Sequence, residues 1–263
     1  MFIENKGLRL NVKVTGVDHK IAPPVLLLHA LGTDLQVWDR VLALLPDHLR
    51  YIRFDQRGHG RSDAPPAPYA MGALVADAEA VLDALAVRDC MVIGLSMGGL
   101  VAQGLAVKRL DLVRGLVLSG TAARIGSPEM WHRRIDEVRQ TGLDAYAAGA
   151  MQRILGPRYQ SHPDHPYLHD LLIRTDPDGW AGCAAAIAGT DFYTTTASLR
   201  LPTLAIAGAN DSTTPPDLVR ETAELIPGHR FALMRGVGHL PMVEKPAEFA
   251  ALVETFLMEI GHG

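Results

Sequence analysis

Five short runs dominated by apolar residues, at 25–28, 51–54, 91–94, 116–118 and 203–207, constrain the fold of this chain more than any other feature. A strand with one wet face alternates apolar and polar side chains. A strand covered on both faces does not, and a set of such runs points to a parallel sheet sandwiched between helices. Helical spacing falls between the runs. Leu74, Ala78, Val81, Leu82 and Leu85 share one face of a helix over 74–85, and a second such pattern covers 249–260. The alternation predicts an α/β fold with right-handed crossovers. At the start, Leu8, Leu10, Val12 and Val14 alternate with polar residues, which predicts an antiparallel hairpin near a sheet edge.

The alternation stops between 122 and 198. That stretch holds short helical patterns punctuated by Gly126, Gly142, Gly156, Pro157, Pro163, Pro166, Pro177 and Gly189, with no buried strand. Strand–helix alternation resumes at Leu201-Pro202-Thr203. Residues 122–198 are therefore expected to form a helical cap inserted in a core built from 1–121 and 199–263. Such a cap belongs over the C-terminal edge of the sheet, where ligands bind in open α/β folds.

Composition narrows the function classes. In 263 residues, 25 Lys+Arg stand against 29 Asp+Glu, too little basic charge for a nucleic-acid partner. No apolar run approaches the roughly 20 residues needed to cross a bilayer, so no membrane association is expected. The first residues lack a basic segment followed by an apolar one, and a cytoplasmic protein is expected. Cys90 and Cys183 form neither a disulfide framework nor a zinc cluster.

The chemistry concentrates at Gly94-Leu95-Ser96-Met97-Gly98, which follows a buried run and precedes a helix expected to begin near Met97. A Gly-x-Ser-x-Gly turn between strand and helix is so tight that small residues must flank the serine, whose hydroxyl then projects into a cleft. A serine hydroxyl attacks only when a base takes its proton, and an acid must hold that base in one tautomer. Asp211, directly after the run 203–207, is the candidate acid. His239, after the strand-like Arg230–Met234, is the candidate base. Asp217 is a weaker acid candidate and reads as the cap of the helix after Pro215-Pro216. The tetrahedral oxyanion needs two donors, expected from the backbone N–H groups of Leu31 and Met97.

Other residues carry weaker signals. His29 reads as a brace for the loop 29–32, with a second base as the alternative. Arg57-Gly58-His59-Gly60 lacks phosphate-binding spacing and reads as a loop near the nucleophile. His162, His165 and His169 have the spacing of a metal comb, but Pro163 and Pro166 break the helix that would align them, so no metal is expected. In the cap, Ser127-Pro128-Glu129 starts a helix that Gly142 ends. Trp131, Ile135 and Val138 form its apolar stripe, flanked by Arg134 and Arg139, with Arg133 pointing away. Trp131 and Trp180 are candidate cleft walls, and Arg134 is the candidate partner of an anionic substrate group.

The chain resembles the α/β-hydrolase superfamily through His29-Ala30-Leu31-Gly32, Asp55-Gln56-Arg57-Gly58-His59-Gly60, Gly94–Gly99, Asn210-Asp211 and Gly238-His239. Within the superfamily it resembles the 3-oxoadipate enol-lactonases, through 121–131, 174–183 and 211–216. Ala30 stands where many relatives carry glycine. The resemblance implies a mostly parallel central sheet flanked by helices, with a helical cap. It also implies that Ser96, Asp211 and His239 open 3-oxoadipate enol-lactone to 3-oxoadipate in bacterial aromatic catabolism, with no cofactor. Two alternatives stay open: a carboxylesterase or carbon–carbon bond hydrolase using the same three residues, and a small-molecule receptor with little turnover.

Overall fold

The computed structural model describes residues 1–16, 24–163 and 165–262. Eight strands form one sheet in the order β1-β2-β4-β3-β5-β6-β7-β8. The hairpin β1 (Phe2–Asn5) and β2 (Leu8–Gly16) lies at one edge, and β2 pairs antiparallel with β4 (Arg50–Phe54). From there the sheet is parallel: β4, β3 (Val25–Leu28), β5 (Cys90–Leu95), β6 (Val113–Ser119), β7 (Thr203–Gly208) and β8 (Arg230–Met234). Every residue of β3, β5 and β7 is buried. Each large aliphatic side chain there contributes roughly 1.5–3 kcal/mol by leaving water. The chain thus has the mostly parallel sheet that its apolar runs predict, and the antiparallel edge hairpin as well.

Helices cover both faces. In chain order they are α1 (Asp39–Leu42), α2 (Met71–Ala84), α3 (Met97–Lys108), α4 (Pro128–Ile154), α5 (His165–Ile173), α6 (Pro177–Ala188), α7 (Tyr193–Ala197), α8 (Pro216–Glu224), α9 (Pro241–Glu244) and α10 (Pro246–Glu259). Helices α2 and α10 fall where the periodicity puts them.

Between β6 and β7 the described chain is helical, α4 to α7, with α4 packed against α5 and α6. Helix α4 begins as expected, with the Ser127 hydroxyl accepting from the Met130 N–H at 3.2 Å. At Gly142 the backbone turns to φ 82°, ψ 166°, and a second helical stretch then runs to Ile154. Gly142 therefore ends the first helical stretch, as its place in the sequence predicts, and a second stretch follows it directly within α4. In the α8 region a correction applies. Pro215 occupies the cap position and Asp217 lies in the first turn, where its charge complements the helix dipole.

Candidate active site

Steric limits shape the turn from β5 into α3. A Cβ on Gly94 would stand 2.5 Å from the Gly98 carbonyl oxygen, and one on Gly98 would stand 2.2 Å from the Leu28 carbonyl oxygen. Only glycine lets strand, helix and the end of β3 approach this closely. Ser96 takes φ 54°, ψ −116°, a conformation that costs an ordinary residue on the order of 1–3 kcal/mol. Bonds to its backbone hold it there: its N–H donates to the Ser119 carbonyl at 2.9 Å, and the Thr121 hydroxyl donates to its carbonyl at 2.7 Å.

Asp211 follows β7 and His239 follows β8. The His239 Nδ1 lies 2.7 Å from Asp211 Oδ2. The second carboxylate oxygen accepts from the N–H groups of Thr213 and Thr214 at 2.8 and 3.1 Å, and the Thr214 hydroxyl donates to Oδ2 at 2.7 Å. Burial alone would raise the Asp211 pKa. The facing imidazole and these donors outweigh burial and hold it below the usual carboxylate range. An ionised Asp211 fixes the proton on Nδ1, which leaves Nε2 as an acceptor.

Ser96 and His239 line one pocket with Leu31, Trp131, Arg134 and Trp180. Asp211 sits behind His239, outside the lining. Met97, next to Ser96, is fully buried and is not part of the pocket lining. Met97 is the first residue of α3, where an N–H has no partner within the helix. The Leu31 N–H meets no acceptor among the described residues, whereas the next one, Gly32 N–H, donates to His59 Nε2 at 2.9 Å.

This assigns the loop histidines. His59 Nδ1 faces the Arg57 carbonyl at 3.1 Å. His29 Nε2 accepts from the Gln56 N–H at 2.8 Å, so its proton sits on Nδ1, 2.8 Å from the Ala30 carbonyl. Burial lowers the pKa of both rings, that of His59 to about 3. Both nitrogens of each ring are engaged, so His29 is a neutral brace and not a second base. Ala30 needs no glycine, since it lies outside the positive-φ region.

Two features escape a reading of the sequence alone. Arg153, near the end of α4, lines the same pocket as Arg134. Each guanidinium lies against an aromatic ring, Arg134 4.9 Å from the Trp131 centroid and Arg153 5.3 Å from that of Tyr146. Among the described residues neither has a carboxylate partner, and the pocket lining contains no acidic residue. Burial lowers the Arg134 pKa, and Arg153 lowers it further. Tyr146 in turn meets the Trp180 ring edge-on at 5.1 Å. The spacing of Tyr146, Ala150 and Arg153 on one helical face was the available signal. Arg133 and Arg139 are exposed.

The alpha/beta hydrolase fold family model matches residues 23–246. 3-Oxoadipate enol-lactonase 2 of Acinetobacter baylyi is 32% identical over 238 residues, 89% of this chain and 88% of that one. The crystal structure of the enol-lactonase from Burkholderia xenovorans LB400 superposes with a TM-score of 0.94 at 33% identity, covering 98% of this chain and all of that one. A malate-bound thermophilic esterase from Thermogutta terrifontis follows with a TM-score of 0.91 at 29% identity, covering 99% and 98%. Among the described residues no helix is long and apolar enough to cross a membrane. With a strand–serine–helix elbow, its fold and these relatives in agreement, this chain belongs to the alpha/beta hydrolase fold family.

Proposed function

We propose that the protein opens 3-oxoadipate enol-lactone to 3-oxoadipate through an acyl-enzyme on Ser96. The observation that carries this reading is a single pocket holding Ser96, His239 and two arginines without carboxylate partners. The substrate has both features such a pocket asks for: an activated ring ester and a free carboxylate. Likeness to two enol-lactonases supports the same reading.

Ser96 Oγ attacks the ring carbonyl carbon while His239 Nε2 takes the hydroxyl proton. Asp211 stabilises the imidazolium that results. Charge developing on the carbonyl oxygen is met by the N–H groups of Leu31 and Met97. The ring C–O bond then breaks and expels an enolate, which His239 protonates and which tautomerises to the ketone. Water, deprotonated by His239, attacks the acyl carbon and releases Ser96 with the second carboxylate of the product. The net change is addition of one water across the ester bond.

Arg134 and Arg153 orient the substrate carboxylate, and Trp131 and Trp180 form the apolar walls. Residues 122–198 act as the lid that carries these groups. The fold and the chemistry place no demand on a metal or an organic cofactor.

The alternative of a carboxylesterase is supported by likeness to esterases, the thermophilic one among them. Turnover of the enol-lactone, followed by detection of 3-oxoadipate, tests the reading against p-nitrophenyl acetate. The wild type is expected to prefer the lactone, and Ser96→Ala to lose at least 1,000-fold in kcat on both substrates, on the order of what removal of a nucleophile costs. A preference for the neutral ester would replace the lactonase reading. Near-normal turnover by Ser96→Ala would remove both.

A further inference from the structure

Glu244 closes α9, outside the pocket lining, five residues after His239. Its carboxylate is spent on two backbones. Oε1 accepts from the Gly238 N–H at 2.9 Å, immediately before the imidazole. Oε2 accepts from the Gly156 N–H at 2.9 Å, two residues past the end of α4. A third tie runs directly between the same segments, from the His239 N–H to the Ile154 carbonyl at 2.6 Å.

The two backbones touch. A Cβ on Gly156 would lie 2.8 Å from Glu244 Oε2 and 3.0 Å from the Gly238 nitrogen. One on Gly238 would lie 2.5 Å from the Ile154 carbonyl oxygen and 2.6 Å from the Gly156 nitrogen. Two facing glycines and a bidentate carboxylate therefore join the loop bearing the imidazole to the stretch bearing Arg153.

We infer that Glu244 is a positioning residue for His239: its carboxylate pins Gly238 to Gly156, so that the chain at the end of α4 sets both the base and a substrate-facing cation. This rests on the reading of His239 as the base. The chemistry of the clamp calls for a carboxylate. Both contacts need an acceptor, and an ionised carboxyl offers one at each oxygen. Glutamine offers one acceptor and sets an NH2 against the other N–H. Burial pushes the Glu244 carboxyl up to about 7, so the two-acceptor form prevails at pH 8. A local loop clamp without catalytic consequence would affect only stability. A clamp that sets the imbalance between a well-placed and a misplaced imidazole affects the proton transfers, and a displacement of about 1 Å there is worth up to roughly 100-fold.

The test compares the wild type with Glu244→Gln, Glu244→Ala and Gly156→Ala at pH 8, on p-nitrophenyl acetate and the enol-lactone. Rates are normalised to folded protein by circular dichroism. Glu244→Gln is expected to lower kcat about tenfold and Glu244→Ala about a hundredfold, each with KM within threefold of the wild type. Gly156→Ala, which keeps the carboxylate but separates the backbones, should reproduce the loss in kcat. Hydrogen exchange should quicken in peptides containing Gly156 and Gly238. Values of kcat within twofold of the wild type in Glu244→Gln and Gly156→Ala overturn the inference, as does a loss carried by KM alone. If Glu244→Ala does not fold, those two variants decide. His239→Ala separates the layers: if it keeps turnover, the reading of the base has failed, and if it loses turnover while Glu244→Gln does not, only the clamp has failed.

Discussion

At the residue scale, the pocket separates chemistry from recognition. On the function proposed above, Ser96 and His239 act on any ester, and the two guanidiniums of the same pocket reward only an anion. A charge-assisted bond to a carboxylate is worth roughly 1.5–3 kcal/mol. Arg134→Ala and Arg153→Ala are each expected to lower kcat/KM for the enol-lactone by roughly 10–100-fold, and for p-nitrophenyl acetate by less than threefold. Steady-state kinetics on both substrates checks this, and equal losses would remove the carboxylate role. The double variant should lose less than the product of the single effects, because Arg153 is close enough to depress the Arg134 pKa.

At the scale of elements, the β5–α3 turn tolerates no side chain at its glycines. Gly98→Ala drives a methyl against the backbone oxygen of Leu28, which cannot rotate away. The expected cost is about 2–4 kcal/mol of unfolding free energy, with Ser96 displaced and turnover reduced. Urea denaturation checks the first part. A methyl accommodated at below 0.5 kcal/mol would mean the elbow is less tightly packed than its contacts indicate. The break at Gly142 also works at this scale. A helical wheel drawn from Pro128 places Trp131 and Arg134 correctly, yet it cannot be extended to Arg153, because non-helical torsions at Gly142 reset the phase. Arg153 was thus out of reach of a wheel drawn from Pro128, and the spacing of Tyr146, Ala150 and Arg153 within the second helical stretch was the signal that could have found it.

At the scale of the whole molecule, the buried carboxyl of Glu244 ties stability to pH. Burial is the main cause of its raised pKa, about 7 against an ordinary 4.5. Between those values the folded state binds more protons than the unfolded one, so the contribution of this group to stability falls as pH rises through that window. The unfolding free energy of the wild type relative to Glu244→Gln is therefore expected to be lower at pH 8 than at pH 5, measured by urea denaturation at each pH. A difference that grows with pH would contradict the burial argument. On the reading above, the ionised clamp serves catalysis at some expense of stability, a trade common at working sites.

How much was legible without coordinates follows from the range of the forces involved. Apolar runs and glycine spacing are local, and they determined the strands, the edge hairpin and the elbow around Ser96, because backbone sterics act within a few residues. The order serine, aspartate, histidine was readable for a related reason, since each candidate follows a strand and a parallel sheet brings those ends to one edge. Asp217 shows the limit even of local reading: capping chemistry placed it at the helix start, and Pro215 took that position.

Tertiary structure alone decided which nitrogens of His29 and His59 carry protons, and what Glu244 holds. Each depends on partners far apart in sequence, 27 residues for His29 and Gln56 and 88 for Gly156 and Glu244. No periodicity in one segment encodes such pairings. They exist only once the sheet and the helices above it have brought distant backbones within hydrogen-bonding distance, where burial makes every donor and acceptor seek a partner.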